Sequence, residues 1–149
     1  MVDLHTHSVF SDGEMTPGEL AELARDSGVT AIALTDHDTT AGVARFLDAC
    51  SMCAVRGIGG VEISAEFAPG TMHVLGYFVD PSDARLEDAL RRIRASRGER
   101  NERILAKLSR MGCRLAWSEV LEVAGEERVG GRPHSGHVMV RRGYARHKP

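Results

Sequence analysis

Two histidines, His5 and His7, stand two apart near the start of the chain, in the run Val2-Asp3-Leu4-His5-Thr6-His7. Side chains two apart on an extended segment point to the same side, so both imidazoles can approach one ion. Asp12 follows five residues after His7, across a short turn containing Gly13. A hard carboxylate beside borderline imidazoles suits zinc, manganese or iron. The competing reading is a loose, histidine-bearing terminus, and Val2 and Leu4 argue against it by anchoring the pair to a strand.

A second polar cluster, Thr35-Asp36-His37-Asp38-Thr39, follows directly on the apolar run Ala31-Ile32-Ala33-Leu34. Grouping such side chains at the end of a buried strand is costly unless they are paired or bind a cation. His37 is the expected ligand, and Asp36 and Asp38 are candidates to orient histidines or water. The alternatives are a hydrogen-bonded core histidine and, for either aspartate, a helix cap. Glu62 lies between apolar neighbours in Gly60-Val61-Glu62-Ile63-Ser64. There it either ends a strand in water or faces positive charge, and its two oxygens could bridge metals. His73 opens the apolar segment through Phe78, where it could bind a metal or simply end a strand.

In the last third, Arg132 and His134 stand at the front of a helical pattern, where helix N–H groups and a guanidinium could both meet phosphoryl oxygens. His134 and His137 are three apart, on one face of that helix, and could form an extra metal site or be ordinary surface histidines. Cys50 and Cys53 form a C-x-x-C without a second pair to complete a four-cysteine zinc site, and Cys113 stands apart. A structural role is expected for the pair, with metal or redox chemistry as the alternative.

The elements that must position these groups read as βα units over the first 80 residues. Val2 to His5 is a short strand. Thr16-Pro17-Gly18-Glu19 is a helix start with a cap, a proline at the first turn and a glutamate that can reach back. Leu20, Leu23 and Ala24 are expected to face the core, and Gly28 to end the helix. Ala31 to Leu34 is a doubly buried strand. A helix from about Gly42 to Cys53 and strands at Val55–Ile63 and Met72–Val79 follow. After Pro81 the pattern turns helical, from Leu86 through Leu108, with an interruption allowed near Gly98 and a stop at Gly112. Shorter helices are expected at Glu119–Ala124 and from Arg132 to about Arg142, with Gly143 at its end.

The chain of 149 residues is 42% hydrophobic and 27% charged, with a net charge of -2, as expected of an ordinary globular domain and not of a nucleic-acid coat protein. Basic charge is concentrated locally. From Arg85 to Arg114, ten Arg or Lys face four acids. An odd cysteine number, no secretory start and no apolar run of about 18 residues make the cytoplasm the default location, without membrane association.

Taken together, Asp3-Leu4-His5-Thr6-His7-Ser8, Ser11-Asp12-Gly13, Thr35-Asp36-His37-Asp38-Thr39 and Gly60-Val61-Glu62-Ile63-Ser64 resemble the PHP (polymerase and histidinol phosphatase) superfamily. Within it the chain is most similar to the metal-dependent phosphoesterases of the TrpH-like branch, whose later pattern is echoed by His73-Val74-Leu75-Gly76-Tyr77 and Gly131-Arg132-Pro133-His134. The resemblance implies an α/β fold, a distorted (βα)7 barrel with an arginine-rich helical insertion. Residues 1–81 would be the amino-terminal part of the barrel and 82–149 the insertion. It implies up to three divalent ions, manganese, zinc or iron. His5, His7 and Glu62 would hold the first and Asp12 with His37 the second, while Glu62 bridges to a third beside His73. Arg132 and His134 would face the substrate phosphate. The family's Ala-His-Pro-like and late Asp-x-His motifs do not occur before Pro149, so the site is expected to be incomplete here and the barrel partial.

The implied activity is metal-assisted hydrolysis of phosphate esters, with small nucleotides such as nucleoside 3',5'-bisphosphates as substrates. One rival is a 5'-3' exonuclease on short RNA or DNA, with the basic stretch from Arg91 to Arg114 tracking phosphates. That stretch has no interleaved aromatics, and Trp117 stands just beyond it, so base stacking finds little support and a solvated helix face competes. The other rival is a metal-binding domain without turnover.

Overall fold

The computed structural model describes residues 1–67, 70–124 and 132–147, with the side chains of 66, 71, 132 and 133 outside the description. The order of elements is β1 (Val2–Thr6), α1 (Pro17–Asp26), β2 (Ala31–Leu34), α2 (Val43–Met52), β3 (Arg56–Phe67), β4 (Gly70–Tyr77), α3 (Ala84–Arg110), α4 (Trp117–Ala124) and α5 (Arg132–Arg141). The chain forms two compact units, Met1–Ile93 and Arg94–Pro149, with the boundary inside α3.

In the first unit, α1 starts as its residues dictate. The Thr16 side chain accepts from the Glu19 N–H, the Glu19 carboxylate accepts from the Thr16 N–H at 2.7 Å, and Pro17 opens the helix. Such a cap is worth about 1 kcal/mol. The buried stripe of α1 runs through Pro17, Leu20, Ala21 and Ala24. Leu23, expected in the core, falls to the flank of that stripe and is exposed. Ala21 takes the position instead, because close packing of α1 on α2 favours a small side chain there. Leu20, Ala21 and Ala24 pack with Val29, Ile32, Leu34, Phe46, Cys50 and Val55 into one apolar cluster between the helices and the sheet. Cys50 belongs to this core. Its burial pushes the thiol up to about 11, as for a packing residue and not a reactive one.

The sheet is mixed, in the order β1-β2-β3-β4. β1, β2 and the first part of β3 run parallel, with Ala31 to Leu34 registered on Arg56 to Gly59. From Gly60 onward β3 changes partner and pairs antiparallel with β4, Gly60 opposite Tyr77 through Phe67 opposite Gly70. The strand expected to end at Ile63 therefore continues, because its less apolar second half is held by hairpin partners. The register of β1 on β2 shifts between Asp3 and Thr6, the mark of a bulge.

In the second unit, Leu105, Val120 and Val138 form a buried cluster, with Leu108, Leu115, Trp117 and Val123 packed against it. Helix α3 runs through Gly98 without a break. No helix among the described residues is long and apolar enough to cross a membrane.

Candidate metal centre

Two strands and two loops converge on Glu62. Its side chain is almost wholly buried, and four imidazoles surround it. Oε2 lies 2.9 Å from His5 Nε2, 3.1 Å from His7 Nε2 and 3.5 Å from His37 Nδ1, while Oε1 lies 2.6 Å from His73 Nδ1. His5 comes from β1, His7 from the loop just after it, His37 from the loop after β2 and His73 from β4. The pair two apart on an extended segment does reach one point.

Asp12 joins from the other side, with Oδ1 3.5 Å from His7 Nδ1 and Oδ2 3.6 Å from His37 Nε2. The six side chains make three overlapping groups: His5, His7 and Glu62; His7, Asp12 and His37; His37, Glu62 and His73. Within each group the ligand atoms lie within 4.8 Å of one another. Consecutive rings stand close, with centroids 5.0 Å (His5–His7), 4.7 Å (His7–His37) and 5.0 Å (His37–His73) apart. Rings at that spacing can all turn nitrogens toward shared cations. The nitrogen and carboxylate donors fit borderline divalent ions such as zinc, manganese and iron.

Burial works to raise the Glu62 carboxyl. Hydrogen bonding to His5, the charge of His37, hydrogen bonding to His73 and the charge of His7 outweigh it, and the group is held below the usual glutamate value. An anionic carboxylate at the junction of the groups is the state a bridging ligand needs.

Backbone pairing explains why His37 meets Glu62. The Glu62 N–H donates to the Asp36 carbonyl at 3.1 Å, and the Asp38 N–H donates to the Glu62 carbonyl at 2.9 Å, so the loop is stitched to β3 on both sides of the ligand. Asp38 is buried with φ at 54°, a left-handed conformation that aspartate tolerates better than most residues. Its carboxylate accepts from the Ser64 N–H at 2.7 Å. Asp36 is also buried, and it accepts from the Ser8 N–H (2.7 Å), the Ser8 hydroxyl (2.6 Å) and the Ser11 hydroxyl (2.6 Å). These contacts give both aspartates a part in shaping the ligand loops. Ser8 and Ser11 were not singled out by residue type, since isolated serines carry no spacing signal.

His134 is buried in the first turn of α5, whereas His137, three residues on, is exposed. The Arg132 side chain lies outside the described residues. All three ligand groups found among the described residues belong to the first unit.

Residues 3–124 match the model of the PHP domain, and the chain belongs to that family. The chain is 37% identical over 111 residues to the 3',5'-nucleoside bisphosphate phosphatase of Chromobacterium violaceum, covering 74% of this chain and 39% of that protein. It is 33% identical over 141 residues to a 5'-3' exoribonuclease of Haemophilus influenzae, covering 95% of this chain and 51% of that one. Among solved structures, a candidate metal-dependent phosphoesterase from Bifidobacterium adolescentis superposes with a TM-score of 0.88 at 34% identity, over 99% of this chain and 52% of the other. An amidohydrolase from Chromobacterium violaceum, with bound sulfate and no metal, superposes with a TM-score of 0.88 at 31% identity, over 97% and 51%. The chain thus spans about half the length of most of these relatives, and about two-fifths of the phosphatase.

Proposed function

We propose that this chain carries the metal centre of a divalent-metal-dependent phosphoesterase that hydrolyses phosphate esters of small nucleotides, nucleoside 3',5'-bisphosphates foremost. The observation that carries the reading is the position of Glu62, whose carboxylate belongs to two of the three ligand groups. His5 and His7 with Glu62 would hold one ion, Asp12 with His37 a second, and His73 with Glu62 a third, with manganese, zinc or iron as the ions. Bound there, such ions supply an activated water and neutralise charge on phosphoryl oxygens.

The protein's own part is to hold six ligands in a cup around the buried Glu62 and to present the phosphate. We assign Asp36 and Asp38 to positioning the ligand loops, and Arg132 and His134 to the substrate phosphate. Family membership supports a partial (βα)7-type barrel in residues 1–81 and an arginine-rich helical insertion in 82–149. The confinement of every strand among the described residues to the segment before 81 favours that division. The likeness to the Chromobacterium violaceum phosphatase favours the bisphosphate substrate.

A second reading, a 5'-3' exoribonuclease, is favoured by the Haemophilus influenzae relative, whose likeness extends over 95% of this chain. One experiment separates them. Protein reconstituted with manganese is assayed for phosphate release from a nucleoside 3',5'-bisphosphate and for mononucleotide release from a 5'-phosphorylated oligoribonucleotide, each with and without chelator. Weak release of phosphate that chelator and Glu62→Ala both abolish is the expected result, since the family's later ligand motifs are not among these 149 residues. Turnover of the oligonucleotide alone supports the second reading, and metal uptake without turnover of either substrate leaves a binding domain only.

A further inference from the structure

The three ligand groups are not held in the same way. His5, Glu62 and His73 stand on β1, β3 and β4, where strand pairing fixes the backbone, and two of the groups contain Glu62 with one of those histidines. The group of His7, Asp12 and His37 draws all its members from loops. What holds these loops lies one residue away from each ligand. Ser8 follows His7, Ser11 precedes Asp12 and Asp36 precedes His37. All three neighbours are buried and hydrogen-bonded together. Asp36 Oδ1 accepts from the Ser8 N–H at 2.7 Å and from the Ser11 hydroxyl at 2.6 Å, while Oδ2 accepts from the Ser8 hydroxyl at 2.6 Å. The Ser8 carbonyl accepts from the N–H groups of Ser11 (3.1 Å) and Gly13 (3.0 Å), which closes the turn around Asp12. The Ser8 hydroxyl also accepts from the Phe10 N–H at 3.2 Å. Packing backs this clamp. A Cβ on Gly42, just before α2, would stand 2.9 Å from the Phe10 ring and 3.3 Å from Asp36 Oδ2.

We infer that Ser8 and Ser11, joined through Asp36, are positioning residues for one metal position, that of His7, Asp12 and His37, and set the separation of its ligands. The inference rests on these side chains being metal ligands, as in the function proposed above. It adds the two serines and a selectivity among the groups. A ligand on a strand keeps its place through the pairing of that strand, whereas ligands on two separate loops need bonds between the loops. Ser8 and Ser11 flank the loop after β1 and Asp36 opens the loop after β2, so the clamp ties the two together. Asp12 belongs to no other group, and an ion that depends on Asp12 depends on the clamp. Residues that orient metal ligands typically change metal affinity by about 10- to 100-fold.

The test reads zinc affinity, equivalent by equivalent, in a competition titration with a chromophoric chelator. Asp12→Ala and His73→Ala identify the equivalents that depend on the clamped group and on the β4 side. Ser8→Ala and Ser11→Ala should each weaken the Asp12-dependent equivalent by about 10-fold or more and leave the His73-dependent one unchanged. Ser8→Ala combined with Asp12→Ala should lose no more than Asp12→Ala alone, whereas its loss should add to that of His73→Ala. A loosening of the whole fold would weaken both equivalents alike, and that result overturns the inference. So does an unchanged Asp12-dependent equivalent in either folded serine variant. A single zinc equivalent that Asp12→Ala and His73→Ala weaken equally leaves no separate position for the clamp to serve, and overturns it as well. Failure of both serine variants to fold would make the clamp a support of the entire unit, against the selectivity inferred. Zinc uptake without phosphate release leaves the inference standing, while a wild type that takes up no zinc removes the functional reading and this one together.

Discussion

The Tyr77 hydroxyl donates to the Leu4 carbonyl at 3.0 Å, joining β4 to β1 although these strands are the two ends of the sheet. The sheet curls so far that its edges meet through this side chain. The curl carries His73 from one edge and His5 from the other to the same carboxylate. Tyr77→Phe should therefore do two things. Stability should fall by about 1 kcal/mol or less, since the bond is exposed. Metal retention at the His73 side should weaken, and a zinc titration followed by isothermal calorimetry would show the loss of the weakest-binding equivalent first.

Glu62 and Asp12 make unequal contributions. Glu62 belongs to two ligand groups and Asp12 to one. After matched reconstitution and desalting, elemental analysis should rank metal content as wild type, then Asp12→Ala, then Glu62→Ala. Equal retention by Glu62→Ala and wild type would remove Glu62 from the centre.

Gly13 is required by close approach. A Cβ there would stand 2.1 Å from the His7 carbonyl oxygen and 2.5 Å from its carbonyl carbon, and backbone cannot swing aside as a side chain can. Gly13→Ala should cost roughly 1–3 kcal/mol, as overpacking does, and should displace His7. The thermal midpoint and the zinc affinity should fall together. A drop in midpoint with unchanged affinity would show that the turn adapts without moving the ligand.

The Cys50 thiol, raised by burial to about 11, gives a pH signature. A thiol whose folded pKa exceeds its unfolded one stabilises the fold fully below the unfolded value. That contribution is lost as pH rises through the folded value. Urea midpoints should decline between about pH 9 and pH 11, and Cys50→Ala should flatten this part of the decline. At pH 8, thiol alkylation followed by mass spectrometry should modify Cys53 well before Cys50.

Local chemistry was legible where neighbours in sequence decide it. The cap at Thr16 and Glu19 forms as its residues dictate, and Gly28, Gly112 and Gly143 all adopt positive φ at helix ends. His5 and His7 share a side because extended backbone alternates. The misplaced Leu23 and the under-length third strand arose differently. Which flank of α1 meets α2, and whether Ser64 to Phe67 find a partner strand, depend on elements distant in the chain.

By itself, then, the sequence determined the ligand types, the pairing of His5 with His7 and the caps and stops of the helices, because each follows from a few adjacent residues. Only the tertiary structure decided that Glu62 should lie within reach of four imidazoles, that Asp36 should bind two serines and not a histidine, and that Tyr77 should meet Leu4. Those contacts join residues 57, 28, 25 and 73 positions apart. Such distances are set by strand register and sheet curl, which depend on the summed packing of the whole sheet and its helices and have no signature in any short stretch of residues.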